Sequence, residues 1–378
     1  MKVEFFKHSI TEKDWSKVYS EVASTPFLTT GPMCKKVEDR LAEMWNVKRV
    51  VLVGSCTAAL HLTQVALNNI YNLWVETACP AFTFVATSNS VIYSKTTPNL
   101  IDVNYITGLM KLDKAIEKES NRLIPVKLYG QNISYKECLE TWLKKLENFP
   151  YVKDKIEIIE DSAHSLEAPS KEANAACYSF YATKMITCGE GGAVATNDEN
   201  LADELVRLRL HGLSKSAWSR YQGNYKPWGM EILGYKYNLT DIQAGILNTQ
   251  LDKWPVLKEE RHILYSYYTK KLQDEGISYF NIEQTPLMMV VKLDPKIRNK
   301  VIDKINNAGI GVAVNWLPVH EQPYYKETFQ YRANSFPNSH KLGQSVLSLP
   351  FYPGLKREEI IYIVQTLVKS IEEAKNEI

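Results

Sequence analysis

Tyr178-Ser179-Phe180-Tyr181-Ala182-Thr183-Lys184 runs on through a short loop into Gly189-Glu190-Gly191-Gly192 and then into the apolar run Ala193-Val194-Ala195. Read as strand, loop and strand, it expects strands at residues 177–180 and 192–196 with one lysine between them, among small and hydroxylated residues. A desolvated amine in such a place can form a Schiff base with an aldehyde, provided its pKa is lowered. An isolated Lys is more often a solvated surface residue, so the reading depends on what surrounds the loop. Immediately upstream, Ile158-Ile159-Glu160-Asp161-Ser162-Ala163-His164 is an apolar strand ending in an acid that would project from the carboxyl edge of a sheet, where ligands bind in α/β folds. Taken alone, such an Asp is more often a helix N-cap or a turn former.

Further out, the N-terminal two thirds of the chain alternates apolar runs with amphipathic stretches, the pattern of an α/β domain with a mainly parallel sheet. Additional strands are expected at residues 49–53, 73–77, 99–103, 122–126 and 155–159, with helices at 58–67 and 135–146. Past Lys253 the pattern changes. Residues 254–272 carry Leu257, Ile263, Leu264, Tyr267 and Tyr268 at helical spacing and read as a long helix starting near Pro255, since proline is tolerated in a first turn. This divides the chain into a large α/β domain, 1–253, and a smaller C-terminal α+β domain, 254–378. The smaller domain should contain strands at 288–293 and 312–315, helices at 296–308 and 356–373, and a Pro- and Tyr-rich loop.

The chain of 378 residues carries 45 Lys and Arg against 43 Asp and Glu, which gives no basic stripe for a nucleic acid. Its most apolar stretch, from Val50 to Leu67, is interrupted by Gly54, Ser55, Thr57, His61 and Gln64, so no membrane span is expected. The start lacks a signal-peptide core, and a cytoplasmic location is the expectation. The six cysteines are scattered without a C-x-x-C pair or a neighbouring His cluster. They read as reduced, mostly buried thiols, and no metal site is expected.

Two more segments bear on the chemistry. Gly54-Ser55-Cys56-Thr57-Ala58-Ala59-Leu60 is a small-residue turn leading from a strand into a helix. Its backbone N–H groups could cradle a phosphate, or the turn could be a plain N-cap. In Pro80-Ala81-Phe82-Thr83-Phe84 an aromatic after a strand could stack on a planar ring, although such aromatics are more often core. Phosphate cradle, stacking aromatic, carboxylate and Schiff-base lysine, in that chain order, are together what pyridoxal phosphate binding needs.

Eight segments carry a resemblance: F-L-T-T-G-P at 27–32, S-C-T-A-A-L-H-L at 55–62, P-A-F-T-F-V-A-T at 80–87, E-D-S-A-H-S at 160–165, S-F-Y-A-T-K-M-I-T-C-G-E-G-G at 179–192, H-G-L-S-K-S-A-W at 211–218, G-Y-K-Y-N-L-T-D-I-Q-A at 234–244 and L-S-L-P-F-Y-P-G at 347–354. Together, in order over nearly the whole chain, they resemble the DegT/DnrJ/EryC1/StrS family of sugar aminotransferases. The resemblance implies the aspartate aminotransferase type of fold (PLP-transferase fold type I) and a homodimer with shared active sites. It implies pyridoxal 5'-phosphate as cofactor, with pyridoxamine phosphate as the amino-carrying form. L-glutamate is the implied donor and a nucleotide-linked keto-sugar the acceptor.

Residue by residue, Lys184 matches the lysine that holds the cofactor and moves protons, and Asp161 the acid facing the pyridine nitrogen. His164 matches a polar contact beside the ring, and Phe84 the stacking aromatic, with Phe82 close by. Thr57, Ala58 and Ser179 match the phosphate-binding positions. Asn238 matches a residue reaching the phosphate of the partner subunit's cofactor. Lysine at 184, where a dehydratase branch has His, favours transamination. The stretches 211–221 and 234–243 are more similar to members acting on 4-keto-6-deoxy sugars than to those acting at carbon 3. Tyr181, His211, Arg220, His320, Tyr324 and Tyr325 are candidate substrate contacts, with structural roles open for His211, Arg220, His320 and the two tyrosines of the Pro-rich loop. A 3-keto-sugar aminotransferase and a non-catalytic, sugar-nucleotide-binding relative are the alternatives. The chain departs from the family pattern at 68–73 and in a short loop after His164, neither at a cofactor position.

Overall fold

The structure, a computed structural model, describes residues 1–71, 76–118, 120–148, 156–213 and 229–377. Strands β1 (Arg49–Val53), β2 (Thr77–Pro80), β3 (Pro98–Ile101), β4 (Arg122–Leu123), β5 (Glu157–Ser162), β6 (Ala175–Ser179) and β7 (Gly192–Thr196) form one sheet in the order β1-β7-β6-β5-β4-β2-β3. β7 is antiparallel to β1 and β6, and every other pairing is parallel. The mainly parallel α/β sheet expected from the sequence is therefore present. Its strands alternate between two cores: Val50, Leu52, Ala176 and Ala193 face one side, while Val51, Val53, Cys177 and Val194 face the other. Strands buried on both faces have to be apolar throughout, which is why β1 reads Arg-Val-Val-Leu-Val.

Helices α1 (Glu12–Ala23), α2 (Pro32–Trp45), α3 (Cys56–Tyr71), α4 (Val85–Tyr93), α5 (Leu112–Glu117), α6 (Lys136–Asn148) and α7 (Glu199–Leu208) surround the sheet. α3 packs against α4, α7 and the sheet and is buried nearly all round. Burial of its Leu60 and Leu62 contributes roughly 2 kcal/mol each. The strand expected at 73–77 falls mostly outside the described residues, and the strand found there is Thr77–Pro80. The one expected at 122–126 is only two residues long. Pro125 cannot donate to a ladder, and beyond it the chain touches β5 through a single bridge, Val126 to Asp161.

After the sheet come α8 (Asp241–Asp274), β8 (Met289–Lys292), α9 (Arg298–Asn307), α10 (Pro323–Phe329), α11 (Pro337–Ser345), β9 (Val346–Leu349) and α12 (Arg357–Asn376). β8 and β9 form an antiparallel pair. Two expectations are corrected. The helix read as starting near Pro255 starts at Asp241, with Pro255 in its interior. Its start is set by a capping box in which Thr240 and Gln243 satisfy each other's ends. The strand expected at 312–315 is a single bridge, Ala313 to Ser348.

The boundary expected between 253 and 254 thus falls inside α8. The first residues of the chain also reach over it, since Val3 pairs with Ile310 and exchanges hydrogen bonds with Gly309 and Gly311. All six cysteines are free and buried. No described helix is long and apolar enough to cross a membrane.

Candidate active site

The carboxyl ends of the parallel strands gather the site. Val53 at the end of β1 and Ser179 at the end of β6 both pair with Gly192, the first residue of β7. The turn 54–56 presses directly on that glycine: a Cβ on Gly192 would lie 2.4 Å from the carbonyl carbon of Ser55 and 2.6 Å from the nitrogen of Cys56. Only glycine at 192 lets the N-terminus of α3 sit this close to β7, beside the strand that carries Ser179. The loop from β6 to β7 holds Lys184, whose backbone N–H donates to the Tyr181 carbonyl at 3.0 Å.

Asp161 is buried at 4% exposure on β5. It accepts hydrogen bonds from Thr87 Oγ1 at 2.8 Å and from the Ala163 N–H at 3.1 Å. None of the ion pairs among the described residues includes it. Burial pushes its carboxyl above the usual range, although those two hydrogen bonds favour the charged form. Burial also lowers the Lys184 ammonium from 10.5 to about 8, opposed by Cys56 and Asp161. A buried carboxylate and a desolvated amine therefore lie within electrostatic reach of each other. The Cys56 thiol, at the start of α3, is pushed well up by burial and by Asp161, and stays protonated.

His164 is buried, and its Nδ1 accepts from the Tyr129 N–H at 3.2 Å, which assigns the proton to Nε2. Burial, helped by Lys184, holds the imidazole well below its ordinary pKa, so it is neutral. Tyr129 offers its N–H from a left-handed conformation, φ 60°, a geometry that costs a non-glycine about 1 kcal/mol and concentrates at functional sites. Phe84, half exposed at the N-cap of α4, and His164 both pack against the indole of Trp316, with centroids 4.9 and 5.7 Å away. Phe82, the neighbouring alternative, is core.

At the start of α3 the Ala58 N–H already donates to Ser55 Oγ at 3.1 Å, while Thr57 remains partly exposed. Ser179 Oγ accepts a long 3.4 Å bond from the N–H of the exposed Tyr181. Asn238 lies beside the same turn, bridged to Val53. Its amide donates to Thr29 and Thr30 at 2.8 and 2.9 Å, and its oxygen accepts from Lys236 at 2.6 Å, all within its own chain.

The remaining candidates are dispersed. His211 is exposed with φ 60°, bonded through its N–H to the Tyr235 carbonyl. Arg220 lies outside the described residues. His320 has no exposed surface and sits against Phe336, 4.9 Å between centroids, with Glu321 3.6 Å away. Tyr324 is exposed and lines a cleft with Val85, Asn89, Tyr93 and Gln322. Tyr325 is buried, with its hydroxyl donating to Asn89 at 2.8 Å.

Sequence reasoning missed Thr87, Tyr129 and Trp316. Thr87 stood inside a quoted motif, three residues after Phe84, where a first-turn hydroxyl aimed at the sheet edge was the available signal. Tyr129 and Trp316 come from irregular segments with no periodic pattern to mark them.

A profile of the DegT/DnrJ/EryC1/StrS aminotransferase family matches residues 9–368. Among curated proteins, the uncharacterized protein MJ1066 of Methanocaldococcus jannaschii is 32% identical, covering 97% of each chain. The spore coat polysaccharide biosynthesis protein SpsC of Bacillus subtilis is 29% identical, covering 92% of each. Among solved structures, the PLP form of the putative sugar aminotransferase Spr1654 from Streptococcus pneumoniae superposes with a TM-score of 0.88 at 25% identity, covering 99% of this chain and 100% of that one.

Proposed function

Because the chain belongs to the DegT/DnrJ/EryC1/StrS aminotransferase family, we propose that it is a pyridoxal phosphate-dependent sugar aminotransferase that moves an amino group from L-glutamate to a 4-keto-6-deoxy sugar carried on a nucleoside diphosphate. The observation that carries this reading is the pairing of a desolvated Lys184 amine with the buried Asp161 carboxylate at the sheet edge, next to a helix N-terminus.

The donor set fits the cofactor. Asp161 is buried with its oxygens oriented by Thr87 and the Ala163 N–H, and a carboxylate held in this way would pair with a protonated ring nitrogen. When bound, pyridoxal phosphate supplies an electron sink for the negative charge left by removal of a proton from the α-carbon. Asp161 keeps that sink protonated. Lys184, with a pKa of about 8, has a usable fraction of free amine near neutrality. Its Nζ takes the α-proton of the donor and, in the return half, delivers a proton to the sugar carbon that gains nitrogen. His164, neutral with a proton on Nε2, offers a donor to the polar edge of the ring. The turn 54–57 and Ser179 would hold the phosphate, with Thr57 the more available N-terminal position because the Ala58 N–H is engaged.

Further parts of the proposal are a homodimer in which Asn238 reaches the partner's site, a large domain at 1–253 with a small one at 254–378, and a cytoplasmic location. Tyr181, His211, Arg220, His320 and Tyr324 are proposed substrate contacts; Tyr181, His211 and Tyr324 are exposed, whereas His320 is fully buried. The preference for a 4-keto sugar rests on residues 211–221 and 234–243. It is tested by incubating cofactor-loaded protein with L-glutamate and a panel of 3-keto and 4-keto sugar nucleotides. Release of 2-oxoglutarate beyond the first equivalent per site that depends on a 4-keto substrate is expected, whereas such turnover with 3-keto substrates alone overturns the assignment.

A further inference from the structure

One aromatic residue of the C-terminal third is tied to both side chains proposed to flank the cofactor ring. The indole of Trp316 lies 4.9 Å from Phe84, tilted by 42°, and 5.7 Å from His164, stacked at 27°. These two side chains belong to different elements, the N-cap of α4 and the segment after β5, and Trp316 touches both.

The backbone on either side of Trp316 is anchored to the same two segments. On one side, the Asn315 carbonyl accepts a hydrogen bond from Tyr129 Oη, and the Tyr129 N–H donates to His164 Nδ1. The Tyr129 ring also stacks on His164, 6.0 Å between centroids at 16°. On the other side, the Val319 N–H donates 2.8 Å to the Ala81 carbonyl, three residues before Phe84. Pro318 is pressed onto Gly343 of α11, where a Cβ would meet it at 2.3 Å. Trp316 therefore closes a loop of contacts, Trp316 to His164 to Tyr129 to Asn315 and back along the chain, with Phe84 packed on the indole, that ties the residues after β8 to the sheet edge.

We propose that Trp316 is a positioning residue that braces both Phe84, the residue proposed to stack on the cofactor ring, and His164, the one proposed to meet its polar edge, so that both contacts are in place before the cofactor arrives. Holding both side chains in advance removes ordering from the binding event, and the gain should appear in affinity and in the fixed orientation of the ring. The inference rests on the proposed pyridoxal phosphate chemistry.

The test compares wild type with Trp316→Ala and Trp316→Phe by absorbance titration of the apoprotein with pyridoxal phosphate, by visible circular dichroism of the loaded protein, and by thermal unfolding of the apoprotein. The expected result is an affinity at least about tenfold weaker and a reduced visible dichroic signal for Trp316→Ala. Recovery of both to within about threefold is expected for Trp316→Phe, which keeps an aromatic brace. Similar apoprotein unfolding temperatures would separate bracing from a general loss of stability. Unchanged affinity and dichroism in Trp316→Ala overturn the inference while leaving the function intact. Tighter binding by Trp316→Ala overturns it too, because the indole would then be obstructing the site. A wild-type protein that binds no pyridoxal phosphate overturns the function and the inference together.

Discussion

Lys184 is kept in its site against the preference of its charged form. Lowering its pKa from 10.5 to about 8 corresponds to a penalty of up to about 3 kcal/mol on the native state while the amine is protonated. Between those two values the unfolded chain binds more protons than the native one, so stability rises with pH across that window. In the apoprotein, Lys184→Met should therefore be more stable than wild type near pH 7, by up to about 3 kcal/mol, with the difference shrinking from pH 8 to 10.5. Urea unfolding midpoints at stepped pH values would show this, and a constant difference would contradict it. At Asp161, replacing the carboxylate by Asn should leave the shape of the site intact and lower transamination by at least about a hundredfold. Thr87→Val should cost about tenfold, the value of one hydrogen bond to a charged group. Initial rates with L-glutamate compare the two, and equal effects would mean that Thr87 does more than hold the carboxylate. Lys184 and Asp161 were legible because each follows an apolar strand in a characteristic string. Thr87 and Tyr129 were not, since a hydroxyl or a backbone N–H aimed at a partner far along the chain leaves no periodic trace.

Among the elements, the contact between the turn 54–56 and β7 sets the site's dimensions. Gly192→Ala should push that turn outward, because its Cβ would land about 2.5 Å from the backbone of Ser55 and Cys56. The expected cost is about 1–3 kcal/mol, together with weaker binding of the cofactor phosphate. Chemical denaturation and cofactor titration measure the two effects, and an unchanged affinity would show that the cradle tolerates the shift. Element type was readable wherever both faces of a strand are buried, as in β1 and β7, whose bounds match the expected ones. It failed where proline misled. Pro255 suggested a helix start, but the capping box Thr240-Asp241-Ile242-Gln243 already marked the true one, 14 residues earlier. Asp241 reinforces that start, since its carboxylate is buried and accepts from the N–H groups of Gly31 and Met33 at 2.7 and 3.2 Å, joining α8 to the head of α2. The strand missing at 312–315 shows the opposite limit: an apolar run needs a neighbour in register, and only Ala313 finds one.

For the whole molecule, the proposed shared site makes a prediction that no single chain can satisfy. If Asn238 serves the partner's cofactor, Lys184→Ala and Asn238→Ala proteins are each impaired alone. Mixed after dissociation, they should regain about a quarter of wild-type sites, because half of the dimers are hybrids with one intact site of two. Failure to regain activity, with hybrids confirmed by mass, would keep Asn238 in the intrachain role its bonds to Thr29 and Thr30 describe. The central claim is chemical, and the visible absorption spectrum of the purified protein with pyridoxal phosphate, before and after L-glutamate and beside Lys184→Ala, tests it most directly. A visible band that depends on Lys184 and bleaches on adding L-glutamate is the predicted result. A spectrum that is only that of free cofactor, the same with and without Lys184, would contradict the account.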